Sequence, residues 1–295
     1  GGTRLIARDP ITKKIAGHGR VIEGSRFKQV AAGAFHILSI AVAQSHLDDI
    51  NRSLGEINNK LDYLVGYLKD KDLAQLRGTV KYLEYIVNKM NEHGSPESIP
   101  SEKKNQLEAI RRDVMVWAEQ HCSEITAIKM KIKNQADIDS WGGTENTHKA
   151  LINLKQDLQH LVEYKNLLLR IISLVEIGTL YIDPFADVNE HDQIRRETNR
   201  SMHELEGALH ELRDKANTLL AKSLWNKEET ISQRRGEVLN GQVDVLKQLT
   251  SGQNEFIGSI DLLNSQIKRF RSDGNEFKMA LTFDEKGEVQ QVAMV

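Results

Sequence analysis

The stretch HLDDINRSLGEINNKLDYLVGYL, residues 46–68, decides the fold because its apolar residues recur in alternating steps of three and four. Leucine or isoleucine stands at each of these positions: Leu47, Ile50, Leu54, Ile57, Leu61, Leu64 and Leu68. An apolar residue every 3.5 positions keeps one narrow seam of a long helix facing a neighbour. The seam is about 32 Å long at the usual helical rise. The spacing therefore predicts a helix that packs lengthwise against another helix.

The same spacing continues through most of the chain. We predict helices from about Arg26 to Asn91 with a pause at residues 69–72, from the N-cap Ser101 to about Asn134, from about Thr147 to a break at Pro184, along the series Met202 to Leu219, and from Leu239 to Phe270. The sequence WNKEE at 225–229 is a weak break, through which the chain can run straight. Short loops place successive helices antiparallel. The predicted fold is therefore mainly all-α, an elongated bundle of about five long antiparallel heptad-patterned helices.

The two ends of the chain have a different pattern. Residues 4–22 contain two β-prone runs around the turn DPITK, and residues 279–295 contain two short strands around DEKG. We predict a short β-hairpin at each end, and the two hairpins could pair into one small sheet. The predicted organisation is an N-terminal extended or hairpin segment at 1–24, the helical bundle at 25–273 and a C-terminal hairpin at 274–295.

The composition excludes some classes of function. Lys plus Arg is 40 and Asp plus Glu is 42, so the net charge is -2, without the basic excess that nucleic-acid binders show. We expect no nucleic-acid partner. The single cysteine, Cys122, forms no intrachain disulfide. No secretory signal peptide is visible, although the chain begins without methionine. We expect a cytoplasmic protein and leave secretion open.

Residues 30–43, VAAGAFHILSIAVA, form a long uncharged apolar run. As a helix the run would span about 21 Å, less than the roughly 30 Å core of a bilayer, which disfavours a permanent transmembrane helix. A buried bundle helix is the first interpretation, and the second is a hidden segment that enters a membrane or a partner groove after a rearrangement. The candidate contact residues are Val30, Phe35, Ile37, Leu38, Ile40 and Val42.

A second apolar segment, residues 167–182, contains Arg170 and Glu176. A charge in the middle of a membrane span is unfavourable, so we predict a helix in the core of the bundle. Gly178 and Pro184 make its end a weaker candidate for a tip that touches lipid.

No catalytic or metal-binding motif is apparent. His203 and His210 stand seven residues apart, about 10 Å along a helix, which is too far for both to bind one ion. The glycines of AGHGR at 16–20 lack the third glycine of a dinucleotide-binding loop. We therefore nominate no catalytic residue, no metal site and no cofactor.

These patterns favour a non-catalytic helical-bundle or coiled-coil protein that acts through self-association or by binding a protein partner. The alternative is a soluble-to-membrane switch, because several long heptad helices with one uncharged apolar run resemble the architecture of the α-helical pore-forming toxins. That resemblance implies conditional membrane contact through residues 30–43. A helical-bundle enzyme is the least favoured hypothesis, since no set of Glu-x-x-His pairs on facing helices is present.

Overall fold

The computed structural model describes residues 4–8, 15–20, 50–92, 100–182, 189–271, 279–283 and 289–294, and it is mainly helical. The helices are α1 at residues 50–63, α2 at Asp70–Asn91, α3 at Ser101–Asn134, α4 at Glu145–Ile182, α5 at Asn189–Leu219, α6 at Glu228–Leu239 and α7 at Gln242–Arg271. A short 3₁₀ helix at Ser140–Gly142 precedes α4.

Side-chain contacts give the direction of each helix relative to the 38-residue α4. Arg111–Glu176 and His121–Leu161 together place α3 antiparallel to α4. Lys129–Glu204 and Lys215–Gln135 place α5 parallel to α3 and therefore antiparallel to α4. Two contacts each show that α6 and α7 run in the same direction as α4, Thr144–Arg234 and Lys155–Glu237 for α6, and Asn166–Gly252 and Arg170–Glu255 for α7. The helices α1 and α2 form an antiparallel pair on one half of α4.

The apolar side chains form two separate cores. Core I lies where α1 and α2 cover α3, α4 and α7, and core II is built by the other halves of α3, α4 and α5 with α6 and the start of α7. Core I contains, among others, Leu61, Leu83, Trp117, Leu168, Val175 and Phe256. Core II contains, among others, Ile125, Leu158, Leu205, Leu212, Val238 and Leu249.

The predicted seam lies largely inside core I. Ile50, Ile57, Leu61, Leu64 and Leu68 are buried there, and Leu54 is half-buried against it. Leu47 lies outside the described residues. The described part of the seam therefore packs against other helices of the same chain, which leaves it covered in the single chain.

Three turns differ from the sequence-based prediction. The first turn lies at residues 64–69, earlier than the predicted pause, where Gly66 adopts a positive φ of 87°. The weak break predicted at WNKEE is a complete one, and the option of a straight passage is wrong, because α5 ends at Leu219 and α6 begins at Glu228 in the reverse direction. The predicted last helix, from Leu239 to Phe270, corresponds to α7, which begins at Gln242 after a turn at Asn240 and Gly241, where Gly241 has a φ of 78°. The helix α6 before that turn was not predicted separately. At the start of α3, Pro100 rather than Ser101 is the N-cap.

The strands lie near the two ends of the chain. Arg4–Arg8 (β1) pairs antiparallel with Ile15–Arg20 (β2), and Met279–Phe283 (β3) with Val289–Met294 (β4). These described strands form two separate two-stranded sheets, so the single shared sheet that we considered is wrong. The connecting turns lie outside the described residues, and the terminal hairpins stay a prediction.

Candidate functional site

Some of the candidate residues predicted from the sequence lie outside the residues that the structure describes. The six apolar candidates Val30, Phe35, Ile37, Leu38, Ile40 and Val42 are among these, so their contacts stay a prediction. Within the described chain, none of the helices combines the length and the apolar character that a membrane crossing requires. The described residues also contain no group of three His, Cys, Asp or Glu side chains placed to hold a metal ion.

Two features of the described chain are candidates for function. The first is a polar layer between the two cores, formed by buried side chains of four helices. It consists of His121 on α3, Lys165 and Asn166 on α4, Thr198 and Ser201 on α5, and Gln253 on α7. The layer lies at one level of the bundle because hydrogen bonds join its members from helix to helix.

Lys165 connects α4 to α5 at the centre of the layer. Its Nζ donates to the Thr198 carbonyl oxygen and to Ser201 Oγ, each at 2.8 Å. Ser201 Oγ in turn donates to the Thr198 carbonyl oxygen at 2.9 Å. Burial lowers the pKa of the Lys165 amine to about 7, because a charged ammonium is poorly solvated in the interior.

His121 connects α3 to α4. Its Nε2 lies 2.8 Å from the Leu161 carbonyl oxygen, so Nε2 carries a proton and donates it. The ring meets Tyr164 edge-on at 5.4 Å between centroids. Burial lowers the pKa of His121 to about 4, and the hydrogen bond to Leu161 opposes that shift only in part.

On the α7 side of the layer, some buried polar atoms have no hydrogen-bond partner. Gln253 Nε2 donates to Asn199 Oδ1 at 2.8 Å and to Thr198 Oγ1 at 3.3 Å, whereas Gln253 Oε1 is buried without a hydrogen-bond partner. Asn166 Oδ1 is also buried without one. It lies against Gly252, where a β-carbon would overlap it. A buried polar atom without a partner destabilises the packed state around it.

A small cavity adjoins the layer between α3, α4 and α5. Its volume is about 30 Å³, enough for one water molecule, and its lining includes Cys122, Lys165, Glu119, Glu197 and Arg200. Burial raises the pKa of the half-buried Cys122 thiol, and Glu119 acts in the same direction. This setting is not that of an activated nucleophile, which requires a lowered thiol pKa.

A larger groove of about 240 Å³ runs between α1, α4 and α7. Lys60 pairs with Glu163 across it, and Arg170 pairs with both Glu56 and Glu255. These ion pairs neutralise the charged wall of the groove and join the three helices. The charge of Arg170, which disfavoured a membrane span in the sequence, is thus used to hold helices together.

The second candidate feature is a loop pair at the far end of core II. It consists of residues 135–144 and 220–227, which meet side by side. The Leu224 backbone N–H donates to the Gly142 carbonyl oxygen at 3.1 Å, and the Ser223 hydroxyl also donates to that oxygen. Thr144 Oγ1 accepts hydrogen bonds from Asn226 Nδ2 at 3.0 Å and from Arg234 at 2.8 Å.

The loop pair fixes its own backbone but leaves large apolar side chains in solvent. Leu224 is 87% exposed and Trp225 is 74% exposed, the highest fractions among the described large apolar side chains. Ile138, on the other loop, is 55% exposed. Ser223 Oγ accepts from the backbone N–H groups of Trp225 and Asn226, which tightens the turn that carries them.

Two residues of the loop at 135–144 hold this arrangement. Gly142 has a φ of 80°, and a β-carbon there would lie 2.8 Å from that of Leu224. Asp139 accepts hydrogen bonds from the backbone N–H groups of Asn146 and Thr147. Both groups lie in the first turn of α4, where N–H groups have no acceptor within the helix. Burial alone would raise the pKa of Asp139, but these two hydrogen bonds lower it below its ordinary value.

Neither feature was predicted from the sequence, although the polar layer is marked there by a change in the apolar spacing. On α3 the buried apolar residues stop at Trp117 and resume at Ile125, and on α7 they stop at Leu249 and resume at Phe256. In each of these two intervals the buried position is polar, His121 on α3 and Gln253 on α7. His203 and His210, by contrast, are both exposed.

Compared with protein-family models, with curated proteins and with solved structures, the chain matches none of them.

Proposed function

We propose that this chain is a non-catalytic helical bundle that acts by binding another protein chain, either a second copy or a different protein, through the loop pair. The observation that carries the proposal is the exposure of Leu224 and Trp225 on a backbone that hydrogen bonds already hold in place. We also propose that the long helices form one five-helix bundle and that the strand pair at each end of the chain is a β-hairpin.

Energetics support binding at this position. Burying a leucine or a tryptophan side chain contributes about 1.5–3 kcal/mol each. Part of that gain is usually lost when a loop is ordered on binding. Here Ser223, Asn226 and Gly142 have already ordered the loop, so more of the gain remains for affinity. Tryptophan is also enriched among the residues that dominate interface energetics.

The helix seams are less suitable as a binding surface. Their described apolar residues are buried in core I and core II of the single chain. Exposing a seam to a partner would first require that the bundle release it. The loop pair needs no such rearrangement, which favours it over coiled-coil assembly through the seam at 46–68.

The test begins with a crosslinking amino acid. A photoreactive phenylalanine analogue replaces Trp225 in one variant and the half-exposed Val116 on α3 in the control. We expect an adduct from position 225, identified by mass spectrometry as this chain or as one other protein, and none from position 116. The affinity of the purified pair is then measured by calorimetry or sedimentation.

The decisive comparison uses paired substitutions. Leu224→Ser with Trp225→Ser removes the exposed pair, and Val116→Ser with Met130→Ser removes two apolar side chains of 50% and 51% exposure elsewhere on the bundle. We expect the first variant to lose about 30-fold or more in affinity, which corresponds to about 2 kcal/mol, and the second to bind normally. Unchanged affinity in the first variant would contradict the proposal.

The membrane-switching alternative has its own outcome in this experiment. Phosphatidylcholine vesicles are added to the protein, and dye leakage is recorded for the chain with and without Phe35→Asp. Leakage that depends on Phe35 and not on Trp225 would favour the alternative.

A further inference from the structure

The polar layer interrupts the apolar packing of four helices at one level. On α3 the interruption is His121, on α4 Lys165, on α5 Thr198 and Ser201, and on α7 Gln253. Apolar side chains flank the layer on both sides, in core I and in core II. The contacts across this level therefore depend on hydrogen bonds rather than on apolar burial. Which of these hydrogen bonds can form depends on the protonation state of the groups in the layer.

The hydrogen bonds of Lys165 suit a neutral amine. A neutral amine has two N–H donors, and the structure gives Nζ two acceptors, the Thr198 carbonyl oxygen and Ser201 Oγ. Its third proton in the ammonium form would need a third acceptor. The charged side chains of Glu119, Glu197 and Arg200 line the adjoining cavity.

The environment of His121 also suits the neutral form. Nε2–H already donates to Leu161, so a further proton would be carried by Nδ1 as a second positive charge near Lys165. The Tyr164 ring contacts the imidazole, and Glu119 and Cys122 line the same cavity as His121. The α7 side of the layer offers Gln253 and Asn166, which are uncharged.

We propose that the polar layer is a proton-sensitive opening point of the bundle, at which α3, α4 and α5 separate locally while both cores stay packed. The cavity between these three helices is the place where water gains access. Glu119 and Glu197 at its wall then solvate the ammonium of Lys165 in the opened form. The inference does not depend on the loop pair or on its partner.

The direction of the pH dependence follows from the two pKa shifts. Lys165 has a pKa of about 7 in the closed layer and the ordinary value of 10.5 when opened, so the free energy of opening falls as pH drops from about 10.5 to 7 and no further below it. His121 has a pKa of about 4 when closed and 6.5 when opened, so its contribution falls from about 6.5 to 4. Acidification therefore opens the layer in two separate steps.

Cys122 provides the measurement because it is the single cysteine of the chain and lines the cavity. Its alkylation rate is measured between pH 10 and 4 in the folded protein and, at each pH, in urea as the reference. The ratio of the folded to the unfolded rate reports access to the thiol. We expect the ratio to rise in two steps as pH falls, while circular dichroism stays constant.

Direct reaction of a thiol in the closed layer would give the opposite trend. Burial raises the pKa of Cys122, so the folded-to-unfolded ratio would be low and constant below the pKa of the unfolded thiol and would rise with pH above it. A ratio that stays flat or falls on acidification would overturn the proposal. Loss of the helical signal at the same pH would also overturn it, because the opening would then be global.

Substitutions assign each step. Lys165→Met is expected to remove the upper step, and His121→Phe the lower one, with His121→Gln as the variant that keeps a neutral N–H donor for Leu161. Lys149→Met is the matched control, because Lys149 is an exposed lysine of the same helix that pairs with Glu145. Both steps surviving in the Lys165 and His121 variants would contradict the inference.

Discussion

The two apolar cores and the polar layer between them hold the same helices by different means. In core I and core II, leucine and isoleucine side chains from neighbouring helices exclude water along continuous seams. In the layer, five of the six buried polar side chains take part in hydrogen bonds between helices, and one side-chain oxygen each of Asn166 and Gln253 has no partner. The difference shows that the heptad spacing indicates where helices pack through apolar side chains. A buried polar residue that interrupts the spacing indicates where hydrogen bonds join the helices.

The largest expected effect lies at the buried ion pair between Arg111 and Glu176, next to core I. Arg111 donates to both carboxylate oxygens of Glu176 at 3.0 and 3.3 Å, and the Glu176 side chain is 1% exposed. We expect Arg111→Met to lower the free energy of unfolding by about 3–5 kcal/mol, since it leaves the buried carboxylate without its guanidinium partner. Urea unfolding followed by circular dichroism measures the change.

The matched control for this change replaces both partners. Arg111→Met with Glu176→Leu removes the charges together, so we expect stability within about 1 kcal/mol of the unchanged protein or above it. A double variant as unstable as the single one would show that the pair is needed for more than charge compensation.

The next effect compares core II with the layer directly. Leu212→Ala in core II creates a cavity and should lower the free energy of unfolding by about 2–5 kcal/mol. Gln253→Leu in the layer should change it by less than about 1 kcal/mol, because relief of the unpaired Oε1 offsets the loss of the bonds to Asn199 and Thr198. Equal losses in urea unfolding would remove the distinction between core and layer.

A smaller effect is expected at the loop pair. Gly142→Ala places a β-carbon on a residue with a positive φ and brings it to 2.8 Å from Leu224. The strained backbone alone costs about 1–2 kcal/mol, and the overlap displaces Leu224 from its position. The thermal unfolding temperature should fall, and Gly236→Ala, in open space on α6, serves as the control that should leave it unchanged or higher.

Much of the helical pattern was predictable from spacing, because an apolar series shows which face of a helix is buried. The end of α3 at Asn134 and the buried character of residues 167–182 follow from the sequence in this way. The turn at 220–227 does not, because Ser223 and Asn226 hold it through bonds to the distant Gly142 and Thr144.

The candidate site was less accessible to prediction than the helices. A polar residue such as His121 or Gln253 at an inward position is visible as a skipped apolar step. That these positions and the buried polar residues of α4 and α5 lie at one level depends on the lengths of the turns and on the helix directions. The sequence does not show which partners Lys165 and Ser201 contact.

The smallest effect concerns the start of α4, beside the loop pair. Asp139→Ala removes the acceptor for the N–H groups of Asn146 and Thr147 and should lower the free energy of unfolding by about 1 kcal/mol. Because hydrogen bonding lowers the pKa of Asp139, its contribution is complete at neutral pH and is lost as pH falls through that lowered value. The difference between the two proteins should therefore vanish in acid, as measured by urea unfolding at several pH values.

The most direct test of the two-core account is native-state amide hydrogen exchange, followed by NMR at pH 7 in low concentrations of urea. We predict that backbone amides beside the polar layer, at residues 119–123, 163–167 and 198–202, exchange through an opening of lower free energy than those around Leu158 and Leu212 in core II or around Leu83 and Val175 in core I. A single opening free energy shared by all of these amides would contradict the account, because the bundle would then unfold as one undivided core.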